Sequence, residues 1–181
     1  MNDPINTFCD VVLERSSQHQ EASNLLRKRL PIMIAPLIRQ EIDSFIKVVY
    51  LLTLKDKAMR EGLCKRTLEN KKWNLAECEL VNITDKLIGW TKLTYKFGCA
   101  FIHLSGHHGH LAKHPFCGYS QDDRRTISEY METYHQFQIT ENTHISDIEQ
   151  KYNAILMKIH SNLKNYVEKL RSGESIKPED I

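Results

Sequence analysis

The chain has 181 residues, enough for one domain with a real core and short for two. Lys plus Arg is 25 and Asp plus Glu is 23, a formal charge of +2, which excludes a strongly basic nucleic-acid protein but not a local basic patch. Only 7 Gly and 5 Pro occur, which argues against a disordered or collagen-like chain.

The first residues, Met1-Asn-Asp-Pro-Ile-Asn-Thr-Phe8, show no charged region followed by an apolar run, so no secretory signal is expected. The longest apolar stretches, 31–38 and 48–54, fall far short of the roughly 18 to 20 residues of a membrane span. Cys9, Cys64, Cys78, Cys99 and Cys117 are odd in number, widely spaced and form no CxxC. That pattern fits reduced thiols in a cytoplasmic protein rather than a zinc ribbon or a disulfide framework.

The hydrophobic periodicity is helical almost throughout. A first helix is expected over residues 5–30, with Phe8, Val12, Ala22, Leu25 and Leu26 as a partial apolar face and Pro31 at its end. A second is expected over 33–54, where Ile38, Ile42, Phe45, Ile46, Val49 and Leu52 form a wide stripe. Residues 55–72 carry seven Lys/Arg against three Asp/Glu and read as a short helix or a charged connection. A third long helix is expected to start near Asn82, capped there and carrying a stripe from Ile83 through Leu87, Trp90, Thr94, Phe97 and Phe101 to Leu104. Ser120 then resembles the cap of a helix reaching Phe137. The last helix, 145–170, has the most regular stripe, able to pack inside the bundle or against a second subunit. The expected architecture is an all-α, single-domain, up-and-down bundle of about five helices over 1–171, with a polar tail over 172–181.

Five of the nine histidines, His103, His107, His108, His110 and His114, lie within 12 residues. Three readings compete. One is a metal site, since spacings of three and four can bring imidazoles to one face of a helix. No His-Glu-x-x-His motif accompanies them, so neither a metal nor another cofactor is expected. The second is acid–base chemistry on a phosphodiester, because histidine titrates nearest neutral pH. His108 falls on the register of the Ile83–Phe101 stripe, whereas His103 lies nearly opposite unless Gly106 bends the helix. The third is packing and ordinary surface polarity.

Arg39-Gln-Glu-Ile-Asp-Ser-Phe-Ile-Lys-Val-Val-Tyr-Leu-Leu52 and Gly98-Cys-Ala-Phe-Ile-His-Leu-Ser-Gly-His-His-Gly-His-Leu111, with Pro115-Phe116, together resemble a divergent HEPN domain (higher eukaryote and prokaryote nucleotide-binding). The resemblance implies an all-α bundle, RNA or nucleotide as ligand, a homodimer with its cleft between protomers, and metal-independent ribonuclease activity of a defence or toxin–antitoxin type. The family signature is Arg, four to six residues, then His. Here His103 stands where the family has Arg, five positions before His108. The resemblance thus implies His108 as the acid–base residue, with His103, Ser105 and His107 at the scissile phosphate. Histidine lacks arginine's fixed charge and bidentate fork, which leaves the activity itself in question.

Glu41, Asp43 and Lys47 on the second helix are candidates to line a cleft facing His108, with Lys47 as a substrate contact, and Arg124-Arg125, Arg27-Lys28-Arg29 and the 55–72 stretch are candidates for a phosphate-attracting surface. Asp43 and Lys47, four apart, are also spaced to pair with each other. The competing function is a catalytically silent interaction module, a partner or immunity protein that uses the last helix to bind another protein.

Overall fold

The computed structural model describes residues 3–102, 116 and 119–176. Seven α-helices and one 3₁₀ turn occur among them, and no strand. They are α1 (Pro4–Leu26), a 3₁₀ turn (Pro31–Met33), α2 (Ile34–Thr53), α3 (Lys57–Leu68), α4 (Glu77–Ile88), α5 (Thr91–Ile102), α6 (Gln121–His135) and α7 (Ile145–Arg171). The chain is all-α as expected, with more helices than five.

Two local causes account for the extra elements. The charged stretch after α2 closes into α3 because Asp56 caps it, accepting from Ala58 N at 2.8 Å. The expected long third helix is two. It begins at Glu77 rather than near Asn82, and Glu79 accepts from Ala76 N at 2.9 Å at that start. It breaks at Gly89, whose φ of +76° is a left-handed position that favours glycine. Asp85 does act as a capping carboxylate, but for the following helix, accepting from Lys92 N at 2.9 Å and from Thr91 Oγ1 at 3.3 Å.

α2 is the centre of the bundle, packed against α7, α5, α1 and α4. Its stripe is buried as the periodicity predicts, with Ile38, Ile42, Phe45, Val49 and Leu52 all in the core. α1 contacts α7 and α3 more widely than it contacts α2, so spatial neighbours do not follow chain order. α1 and α7 run antiparallel in a clear register. Ser16 meets His160, Gln20 meets Met157 and Ser23 meets Asn153, each step up α1 matched by a step down α7. Asp10 and Arg171 close the other end as an ion pair.

The expected apolar face of α1 is half right. Phe8 and Val12 are buried, but Leu25 is 75% exposed. The buried register continues instead through Ser16, His19 and Ser23. The regular stripe of α7 is taken up inside the bundle, where Ile148, Tyr152, Ile155, Ile159, Leu163 and Leu170 are core residues. The tail docks as far as Ile176, which is buried and donates its N–H to Leu52 O at 2.9 Å.

α5 presses onto α2 at Gly98. A Cβ there would lie 2.5 Å from Arg39 Cβ and 2.9 Å from Arg39 Cα, so only glycine permits this approach. Gly62, inside α3, has open space around its missing Cβ. Gly98→Ala is therefore expected to lower stability by about 1–3 kcal/mol, whereas Gly62→Ala raises it by about 0.5–1 kcal/mol. Urea unfolding of the two variants checks the contrast in sign.

Candidate functional site

Lys47 lies on the face of α2 that carries Arg39 and Asp43 at four-residue spacing. Lys47 Nζ sits 3.0 Å from Asp43 Oδ2, and Asp43 Oδ1 is 3.7 Å from an Arg39 nitrogen. The pairing read from the sequence is present. Arg39 goes further. Its guanidinium stacks over the Tyr95 ring at 3.8 Å, donates to Cys99 Sγ at 3.3 Å and to Glu77 Oε2 at 3.5 Å. Tyr95 donates its hydroxyl to the same Glu77 oxygen at 2.8 Å.

These contacts tie α2 to α4 and α5. Burial opposes the charge on Arg39, but the Cys99, Tyr95 and Asp43 contacts outweigh it and raise its pKa above the usual arginine value. Burial first, then the bond to Glu77, raise the Tyr95 pKa, which keeps its hydroxyl a donor. All three guanidinium nitrogens of Arg39 are engaged. Arg39 thus holds the base of α5, four residues before His103 in the chain, and is not free to replace the arginine absent from the motif.

Beside this cluster a groove of about 480 Å³ opens between α2 and the α3–α4 connection. Lys47, Asn70, Lys71, Lys72, Trp73 and Glu77 are among its lining residues. The connection is held in shape by its own bonds. Arg66 donates twice to Lys72 O, at 2.9 and 2.6 Å, and once to Asn74 Oδ1 at 3.1 Å. Trp73 donates its indole N–H to Thr67 Oγ1 at 2.8 Å and packs on Tyr50 with ring centroids 5.8 Å apart. Asn70 takes a positive φ of 57°, which turns the chain after α3. Lys71 pairs with Glu69 at 2.7 Å, and Lys72 has no carboxylate partner among the described residues.

A second polar cluster lies on the other side of α2. Glu41, 1% exposed, accepts from His19 Nδ1 at 2.6 Å and from the Ser16 hydroxyl. His160 Nδ1 lies 2.6 Å from the Ser16 oxygen. Proton counting fixes the roles. Ser16 has one proton and gives it to Glu41, so His160 donates to Ser16 from Nδ1. His19 Nε2 lies 3.2 Å from Gln40 Oε1, which also accepts from Arg15 at 3.4 Å. Ser16, at 1% exposure, is too enclosed to act as a nucleophile on an external substrate. The cluster is a buried polar brace between α1, α2 and α7.

The other residues singled out in the sequence fall as follows. His103, Ser105, His107 and His108 lie outside the described residues, as do His110, His114 and Cys117. Arg124 and Arg125 sit in the first turn of α6. Arg124 Nε donates to Tyr119 O at 3.0 Å, and Arg125 pairs with Asp122 at 3.2 Å. Neither lines the groove that holds Lys47. Trp90 is a packing residue, stacked on Phe45 at 5.3 Å. Among the described residues, no group of three or more His, Cys, Asp or Glu is arranged to hold a metal ion. No described helix is long and apolar enough to cross a membrane.

The residues missed in the sequence are Arg39, Glu77, Tyr95 and Trp73 near the groove, and Ser16, His19 and His160 in the brace; Glu41, read as a cleft candidate, is buried in the brace instead. The brace had a signal: Ser16, His19 and Ser23 continue the three- and four-residue register of Ile5, Phe8 and Val12. Compared with family models, curated proteins and solved structures, the chain finds no match.

Two outcomes follow from the charges. Glu41→Gln puts an amide donor where the buried carboxylate accepts from Ser16 or His19, and is expected to cost on the order of 3 kcal/mol in urea unfolding, while Ser16→Ala costs about 1 kcal/mol. His135, at the end of α6, is pushed down from 6.5 to about 4 by burial and by Lys158 and Lys151. The folded chain therefore favours its neutral ring. Its contribution is full above pH 6.5 and is lost as pH falls through about 4. Wild type should lose stability relative to His135→Asn between pH 7 and pH 4, read as the difference between their unfolding midpoints.

Proposed function

We propose that this chain is an RNA- or nucleotide-binding helical domain of the HEPN type. The observation that carries the reading is the groove whose lining includes Lys47, Lys71, Lys72 and Trp73. Single-stranded nucleic acid needs cations along its phosphates and an aromatic face for a base. The groove offers both on a connection whose shape is already held by Arg66 and Thr67. Exposed pairs such as Lys71–Glu69 are worth about 0–1 kcal/mol, so a phosphate can displace the carboxylate at little cost.

In this reading His108 is the acid–base residue of a metal-independent endoribonuclease. His103, Ser105 and His107 hold the scissile phosphate, and two protomers share the cleft. The argument for these four residues is the resemblance alone. The groove adds a place for the flanking nucleotides, and Arg39 adds a rigid base for α5, the helix that leads into the histidine run. Arg124 and Arg125 do not line this groove and would meet RNA phosphates outside it.

The alternative, a silent interaction module using the last helix, is weakened by one observation. The apolar stripe of α7 is buried within the bundle and is not available to a partner.

The test is binding of labelled single-stranded RNA followed by anisotropy. Lys71→Gln with Lys72→Gln should weaken binding about tenfold and reduce its salt dependence. Trp73→Ala should cost about 1–3 kcal/mol of affinity. Cleavage that survives EDTA and is lost in a folded His108→Ala variant supports the nuclease. Unchanged affinity in both groove variants contradicts the groove reading, and RNA bound without cleavage reduces the proposal to a binding domain.

A further inference from the structure

A second charged cleft lies where α1 and α3 begin and α7 ends. It encloses about 250 Å³, and its lining includes Lys55, Lys57, Arg60, Arg171 and the lone carboxylate Asp3. Asp3 is committed to capping α1, accepting from Ile5 N at 3.0 Å and from Asn6 Nδ2 at 3.1 Å. We propose that this cleft is an oxyanion site that takes a phosphate group, with Arg60 at its base and Lys55 and Lys57 at its rim.

Arg60 is 3% exposed, yet its guanidinium meets no carboxylate among the described residues. It donates to Leu54 O at 2.7 Å and to Ser175 Oγ at 3.2 Å, both neutral acceptors. Burial lowers its pKa, and only Cys64 pulls the other way. A buried cation without a counter-ion is costly, and nearly all buried charges are paired. Arg171, also at the cleft, is engaged elsewhere, pairing with Asp10 and Glu168 and bonding the buried Cys9 thiol.

The start of α3 carries its own capping carboxylate, Asp56, which accepts from Ala58 N at 2.8 Å. Lys55 and Lys57 flank that cap. Three side-chain cations converge on the positive end of a 12-residue helix. A doubly charged oxyanion would supply the counter-charge that Arg60 does not find among the described residues. Lys57 has one exposed partner, Glu61, at 3.5 Å, which a bound anion would compete away.

This site is independent of the groove. The groove uses the end of α3 and this cleft its beginning, about 15 Å apart at the rise of a helix. The experiment titrates the full chain with inorganic phosphate, following the thermal midpoint and the phosphorus NMR linewidth, against chloride at equal ionic strength. Saturable stabilisation by phosphate, weakened about tenfold or more in Lys55→Gln/Lys57→Gln and unchanged in Lys86→Gln, an exposed lysine that lines neither site, is expected. The Lys55 and Lys57 side chains are exposed, so this variant should fold. Arg60→Lys, which keeps the charge but not the fork, should also weaken binding. A 5′-phosphorylated dinucleotide that binds tighter than phosphate would identify a nucleotide end as the source of the group; equal affinity would identify the free ion. An equal response to chloride, or a response that the Lys55/Lys57 variant retains in full, overturns the proposal.

Discussion

A carboxylate buried at the meeting point of three helices is the constraint around which this bundle is built. Glu41 is 1% exposed on α2, and it is tolerated because α1 brings His19 and Ser16 to it and α7 brings His160. An uncompensated charge at that depth would cost more than most single apolar contacts contribute. The brace therefore specifies which faces of α1 and α7 meet α2, and in what register. Apolar packing alone would accept a slide of one turn; a buried Glu–His–Ser cluster does not. The regular steps from Ser16–His160 to Ser23–Asn153 are the visible result.

With α1 and α7 placed on one side, α2 turns its opposite face to α4, α5 and the groove. Arg39, Asp43 and Lys47 repeat every four residues along that face. Arg39 clamps α5 through Cys99, Tyr95 and Glu77, and Gly98 lets the two helix backbones come close enough for the clamp to close. The same central helix thus separates a stabilising polar brace from a surface with exposed cations.

Much of this was legible in the sequence because it is local. The stripes of α2 and α7, the Ser120 cap and the Asp43–Lys47 pair all follow from spacings of three and four residues. The split between α4 and α5 was hidden because Leu87, Trp90 and Thr94 keep helical spacing across Gly89, and only the glycine's left-handed conformation breaks the helix. Asp85 looked like part of an N-terminal signature, and it is one, for the next helix. The site contacts were not legible because they join distant positions. Arg39 meets Cys99 across 60 residues, and Ser16 meets His160 across 144. The dense histidine run drew attention by its local concentration, while buried His19 and half-buried His160, which build the brace, stand alone in the chain. The C-terminal residues looked like a polar tail, yet one apolar residue, Ile176, is enough to dock the chain against Leu52.

The central functional claim is that a base stacks at Trp73 in the lysine-lined groove. The chain has two tryptophans, Trp73 and Trp90, and Trp90 is half-buried against Phe45 and Tyr130. Trp90→Phe leaves Trp73 as the sole indole reporter. Titrating that variant with single-stranded RNA at low salt should quench its fluorescence in a saturable way, and added salt should reverse the quenching. RNA that binds, by an independent label, while the Trp73 signal stays flat would contradict the account.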